Sequence, residues 1–298
     1  MTGGCSQLVQ RAQPYRGSRV GAAMRTLWFI TNPHSGTATA EKCAAIEAIF
    51  AERGLTLAGR TAFPDEPLPD AAALDAAGAD TVVLFAGDGT INAALCRLAR
   101  WDGAILILPG GTMNLLAKAL HDSLDVPTII HAAHERGRRV ALPYVEAGPH
   151  RAFVGLIVGP AGNWYRAREA ARERRVGALL SAARAAWRRT FGRGVRIAGA
   201  AGLRRGYQAV FVTPEPDGLE VAAVDARDWG AIAELGWAWL TGDWVSARAV
   251  DHAAARRVRI LGSRPVRALF DGEPEMLEPG TVIQGGTGAR MLIATKAA

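Results

Sequence analysis

Four short runs hold residues whose types and spacing could do chemistry. The first to weigh is Ala86-Gly87-Asp88-Gly89-Thr90, which follows the apolar run Thr81 to Phe85 and precedes a helical pattern. A loop at the carboxyl end of a buried strand is where α/β sheets bind ligands. Gly87 and Gly89 let backbone amides come close to phosphate oxygens, and the N-terminus of the following helix favours negative charge. A carboxylate makes a poor direct neighbour for phosphate. The expected use of Asp88 is therefore through Mg²⁺, which takes hard oxygen ligands and bridges to a nucleotide. Gly-Asp-Gly is also good turn chemistry, and taken alone a type I′ or II turn explains the run as well.

Pro109-Gly110-Gly111-Thr112-Met113-Asn114 repeats the arrangement one strand later, with Thr112 and Asn114 offering a hydroxyl and an amide beside the first loop. An ordinary strand-to-helix connection with an N-cap would read the same way. Asn32-Pro33-His34-Ser35-Gly36 closes the first apolar run, and His34 reads as a loop residue rather than a ligand. Three such loops at the ends of neighbouring strands converge on one edge of a sheet, which isolated turns would not be expected to do. Asp271-Gly272-Glu273, far downstream, offers carboxylates for proton transfer, or equally a solvated hairpin turn. Walker A, GxGxxG, HExxH and GxSxG patterns are all absent.

These loops need strands and helices to hold them. From Thr26 to about Arg139, short apolar runs alternate with helical periodicity, the signature of parallel strands and crossover helices. Strands are expected at Leu27 to Thr31, Leu55 to Thr61, Thr81 to Phe85 and Ala104 to Leu108, with helices from about Thr39 to Arg53, Ile91 to Arg100 and Asn114 to Leu120. After Val140 the runs shorten, at Phe153 to Val158, Tyr207 to Thr213, Leu219 to Val224, Val258 to Leu261 and Val266 to Phe270. That texture predicts a mostly antiparallel second domain, interrupted by helical inserts at Trp164 to Arg189 and Asp228 to Leu240.

The ordered motifs resemble the diacylglycerol-kinase catalytic-domain family, in particular its bacterial lipid kinases, whose pattern is NPxSG, GGDGT followed by Asn, PxGTxN and a late DGE. Here they read NPHSG from Asn32, AGDGTIN from Ala86, PGGTMN from Pro109 and DGE from Asp271. The resemblance implies an N-terminal phosphofructokinase-like α/β nucleotide-binding domain and a C-terminal β-sandwich domain, with the active site in the cleft between them. The corresponding boundaries are 24–140 for the ATP-binding domain, with a tail from about 285 to 298 packing back on it, and 141–285 for the lipid-substrate domain. It further implies ATP contacts at Asn32, Pro33, Ser35, Gly36, Thr61, Gly87, Asp88, Gly89, Thr90, Asn92, Thr112 and Asn114. Glu273 would be the proton acceptor with Asp271 beside it, and Asp88 would join them in catalysis. Pro214-Glu215-Pro216-Asp217-Gly218-Leu219 matches the family's structural Mg²⁺ element, with Asp217 as side-chain ligand and Pro214 and Leu219 as carbonyl donors. Three positions depart from the pattern: Ala86 replaces the first Gly of GGDGT, Ala93 stands where many relatives have Glu, and Leu115 where many have Asp.

Such an enzyme would use ATP and Mg²⁺ to phosphorylate a lipid hydroxyl, such as that of diacylglycerol, working from the cytoplasm at the inner face of the membrane. The net charge of +7 suits anionic partners, and Trp164 to Arg196 carries an apolar stripe of Val176, Leu179, Leu180, Ala183 and Trp187 among arginines. That stripe suits a helix packed on the second domain as well as one resting on anionic lipid, and Trp237, Trp239 and Trp244 read first as core residues. Without a known nucleic-acid-binding motif, the arginine-rich stretch predicts no nucleic-acid partner. A homodimer stays open. The odd cysteine count, with no CxxC, fits a reducing compartment. Residues 1–23 read as a disordered leader or as an extension upstream of a start at Met24. Rival functions are a soluble-substrate kinase of the same superfold, such as an NAD kinase, and a non-catalytic nucleotide or lipid sensor.

Overall fold

The structure is a computed structural model and describes residues 24–35, 37–111, 114–159, 194–224, 250–289 and 291–296. The leader, Gly36, Thr112, both helical inserts and the tryptophans at 237, 239 and 244 lie outside the described residues. The chain divides into two compact units, one running to Leu142 and resuming at Thr287, the other spanning Pro143–Gly286.

The first unit is mixed α/β. Its strands are β1 (Thr26–Thr31), β2 (Thr56–Ala62), β3 (Thr81–Ala86), β4 (Ala104–Pro109) and β5 (Arg138–Val140), joined by the late strand β18 (Leu292–Ala294). They form one sheet in the order β2-β1-β3-β4-β18-β5, parallel except where β5 runs against β18. Every residue of β3 and β4 is buried, because helices cover both faces of a parallel sheet. The helices are α1 (Ala40–Glu52), α2 (Ala71–Ala76), α3 (Asp88–Arg97), α4 (Leu115–Leu120) and α5 (Val126–Arg136). Side-chain oxygens of Thr39, Asp70 and Asp125 cap α1, α2 and α5, taking up amides that the first helical turn leaves unpaired. Phe50 on α1 meets Phe29 on β1 edge to face at 5.6 Å, which seats that helix on the sheet. The Asp80 carboxylate accepts from the amides of Arg25 and Thr26 and from the Thr81 hydroxyl, aligning the starts of β1 and β3.

The second unit is strand-rich. Its strands run β6 (Pro143–Ala147), β7 (His150–Ala152), β8 (Leu156–Val158), β9 (Val195–Ala198), β10 (Gly206–Tyr207), β11 (Ala209–Glu215), β12 (Gly218–Val224), β13 (Val250–Ala255), β14 (Arg257–Leu261), β15 (Val266–Phe270), β16 (Glu273–Leu277) and β17 (Val282–Thr287). They make two six-stranded sheets, β10-β9-β14-β17-β6-β7 and β13-β12-β11-β8-β15-β16. One apolar cluster draws on both, with Val145, Ile197, Ile260 and Ile283 from the first and Val158, Val212, Val221 and Phe270 from the second. Alternation places these side chains inward and their neighbours outward, as in the buried-exposed pattern of β14.

Candidate active site

Three loops leave the carboxyl edge of the first unit's sheet, and hydrogen bonds tie them together. At the end of β1, the Asn32 carboxamide faces two ways: its Nδ2 donates to Thr90 Oγ1 at 2.9 Å and its Oδ1 accepts from the His34 amide at 2.9 Å. Pro33–Ser35 forms a single 3₁₀ turn, and Ser35 Oγ accepts from the Ala38 amide. His34 Nε2 lies 2.9 Å from Asp65 Oδ1, linking this loop to the one after β2.

After β3, Gly87 is the N-cap of α3 and, as a glycine, makes no side-chain cap bond of its own. The helix therefore starts at Asp88, inside the glycine run and three residues before the expected Ile91. Its first amides, including those of Gly89 and Thr90, are open to an anion along the helix dipole. Asn92 is half-buried one turn on, its Oδ1 accepting from Cys96 Sγ.

The Asp88 side chain turns to the third loop. It accepts from the Leu115 amide at 2.9 Å and takes further backbone bonds from Asn114 and Leu116, so it caps α4. Burial pushes its carboxyl up from the usual range, against the pull of those amides and of Lys118. Asn114 is left-handed, with φ of 51°, and its carboxamide accepts from the Gly111 amide at 2.8 Å and donates to the Gly111 carbonyl at 3.0 Å.

The glycines of this third loop are required by closeness. A Cβ on Gly111 would stand 2.6 Å from Gly87 Cα, and one on Gly110 would stand 2.4 Å from the Ala86 amide nitrogen. Ala86 itself is fully buried. Ala93 and Leu115 are half-buried. Thr61, near the end of β2, is buried, and its hydroxyl accepts from Trp28 Nε1 at 3.0 Å.

In the second unit, Asp271 and Gly272 form the two-residue turn between β15 and β16, with φ of 50° and 97°, and Phe270 pairs with Glu273 across it. Two positive φ values are the signature of a type I′ hairpin, which Asp-Gly favours. The Asp271 carboxylate does not face solvent. It accepts from the amides of Phe153 at 2.8 Å, Val154 at 2.8 Å and Gly155 at 3.0 Å, while the Asp271 amide donates to the Gly155 carbonyl. Glu273, next to it, is exposed at the first position of β16. The pair is thus divided, with Asp271 anchoring the turn and Glu273 presented by it. Asp217 is exposed in the two-residue turn Pro216-Asp217, and Pro214 pairs with Leu219 just behind it.

Within the first unit the structure brings together Asn32, Pro33, Ser35, Gly87, Asp88, Gly89, Thr90 and Asn114 as one interlocked loop cluster. Thr61 lies one residue before the end of β2, a strand of the same edge. The sequence reading placed Gly110 and Gly111 in a motif loop without assigning their packing role, and it did not single out Trp28. Gly110 and Gly111 allow the loops to touch, as the doubled glycine could have signalled. Trp28 holds Thr61, and its place on the opposite strand face from the buried Leu27 and Phe29 was the available sign.

Residues 26–143 match the family model of the diacylglycerol kinase catalytic domain, a range that holds the three loops and every strand of their sheet except β18. No curated protein matches the sequence. Among solved structures, a diacylglycerol kinase from Bacillus anthracis str. Sterne is 15% identical with a TM-score of 0.59, over 91% of this chain and 97% of that one. A second diacylglycerol kinase-like structure from the same strain is 18% identical with a TM-score of 0.60, over the same shares. At such identities the likeness is one of fold. Residues 26–143 are thus similar to the diacylglycerol kinase catalytic domain, the family the ordered motifs resemble.

Proposed function

We propose that the protein is an ATP-dependent lipid kinase that transfers the γ-phosphoryl group to a lipid hydroxyl such as that of diacylglycerol. The observation that carries the reading is the interlocked edge of the first unit, where the glycine N-cap of α3 sits between the Asn32 loop and the Gly110-Gly111 loop, the latter with no room for side chains. Phosphoryl transfer asks mainly for positioning and charge neutralisation, and such an edge supplies backbone donors in fixed places. In this reading residues 24–140, with the tail, form a phosphofructokinase-like ATP-binding domain, and 141–285 form a β-sandwich that handles the lipid.

The amides of Gly89 and Thr90 receive phosphate oxygens. Asn32 holds Thr90 in place, and Asp88 acts chiefly by fixing α4, because its carboxylate is engaged by that helix's amides. Glu273 accepts the proton of the attacking hydroxyl, and Asp271 acts by fixing the turn that presents it. Asp217 with the carbonyls of Pro214 and Leu219 offers hard oxygen donors within one hairpin, a set that suits Mg²⁺. A cation there would neutralise Asp217 and stiffen the hairpin. Among the described residues no helix is long and apolar enough to cross a membrane. Peripheral attachment at the inner face of the membrane is the corresponding proposal for location.

Incubating the purified protein with γ-labelled ATP and Mg²⁺, against total lipid extract and separately against NAD⁺, tests the reading. Label is expected in a chloroform-soluble product. Labelling of NAD⁺ alone, or of nothing, refutes it.

A further inference from the structure

Trp28 is half-buried, and among the described residues its indole makes a single polar contact, the 3.0 Å bond from Nε1 to Thr61 Oγ1. An indole N–H can only donate, so the threonine oxygen is the acceptor in this pair. A hydroxyl has one hydrogen and two lone pairs, and the bond from Trp28 occupies one lone pair. The hydroxyl hydrogen must then point elsewhere. Among the described residues no second side chain engages Thr61, although its residue is only 4% exposed.

The tryptophan has a prepared seat. It pairs with Gly59 across β1 and β2, and a Cβ on Gly59 would lie 2.5 Å from the six-membered part of the indole ring. The ring therefore lies flat over the β2 backbone and reaches two residues along it to Thr61. Thr61 pairs with Ile30, one residue before the point where β1 runs out into Asn32. It stands at the same carboxyl edge as the three glycine-bearing loops.

We infer that Trp28, seated on Gly59, is a positioning residue that turns the Thr61 hydroxyl into an oriented hydrogen-bond donor for an acceptor atom of the bound nucleotide. The inference rests on the nucleotide-binding reading of this edge and adds residues to it that the motifs do not contain. Fixing the acceptor side of a hydroxyl removes the freedom that a free rotor would lose on binding. The effect belongs in nucleotide affinity, and turnover at saturating ATP is left alone.

Calorimetric titration of the full-length protein with Mg²⁺-ATP tests this in four variants, each checked for its unfolding temperature. Trp28→Phe keeps the aromatic cover and loses the donor, and should weaken ATP binding about three- to tenfold, the scale of one hydrogen bond. Gly59→Ala displaces the ring and should do the same by an independent route. Thr61→Val should weaken binding by about tenfold, and adding Trp28→Phe to it should cost less than about twofold more, because the two act through one hydroxyl. With acceptor lipid present, Trp28→Phe should raise KM for ATP and leave kcat unchanged. If Thr61→Val weakens binding and Trp28→Phe does not, or if their effects simply multiply, the inference is overturned while the nucleotide site stands. If Thr61→Val leaves binding unchanged, the inference also falls. A parent protein that binds no ATP overturns the underlying reading instead.

Discussion

Replacing Asp271 separates its anchoring part from chemistry. In the folded protein its carboxylate accepts three amide bonds, from Phe153 on one oxygen and from Val154 and Gly155 on the other. Asp271→Asn keeps one acceptor oxygen and tolerates the left-handed backbone at φ of 50°, but opposes an amide donor to one N–H. That should cost about 1 to 2 kcal/mol. Asp271→Gly leaves three amides without a partner, at the lower end of about 1 kcal/mol each because water reaches these half-buried groups, hence about 3 kcal/mol. Asp271→Ala adds a Cβ in the left-handed region, roughly 1 kcal/mol more. The expected order of loss is Asn, then Gly, then Ala. Urea unfolding of the Pro143–Gly286 unit, read at the midpoint with constant slope, measures it. A loss below about 0.5 kcal/mol for Asp271→Ala, or an Asn variant as damaged as the Ala variant, would refute the anchoring role.

Glu273→Ala should lower kcat by about 10²- to 10⁴-fold with ATP affinity unchanged, the share of a general base, and an unaltered rate would remove it from the mechanism. Gly111→Ala forces a Cβ to 2.6 Å from Gly87 Cα. It should destabilise the first unit by about 1 to 3 kcal/mol and weaken ATP binding, as thermal unfolding and calorimetry would show. His121 is buried, with Nε2 donating to the Ile107 carbonyl and Nδ1 accepting from the Thr295 hydroxyl, and burial lowers its pKa to about 4. The unfolded chain takes up a proton near pH 6.5 and the folded one does not. Stability is therefore full above about 6.5 and should fall by up to about 3 kcal/mol as pH drops towards 4, and His121→Gln should flatten that slope.

What could be read from sequence followed the range of the forces involved. β3 and β4 were plain because an unbroken apolar run means burial on both faces, and the structure extends each by one residue, to Ala86 and Pro109. α1 was plain because periodicity and the Thr39 cap agree. α2 was missed because Ala71–Ala76 is short and alanine-rich, with one buried leucine and no period to detect. α5 was missed although Asp125 and an early proline mark its start. The motif loops were legible as glycine patterns. Their bonds to each other were not, since Asp88 meets Leu115 at 27 residues' separation and Asp271 meets Phe153 at 118. Composition read Asp-Gly-Glu as a turn, and only the tertiary fold shows that its first carboxylate faces inward.

The place of β18 has a consequence for how the molecule is made. Leu292–Ala294 is inserted between β4 and β5, strands that leave the ribosome roughly 150 to 180 residues earlier. While Pro143–Gly286 is being synthesised, the nascent sheet must wait with the side of β4 unpaired, an open edge that other chains could join. Completion of the sheet that carries the glycine loops is thereby tied to the arrival of Leu292–Ala294, so a chain released before that point would carry every glycine loop and still lack the strand that closes their sheet.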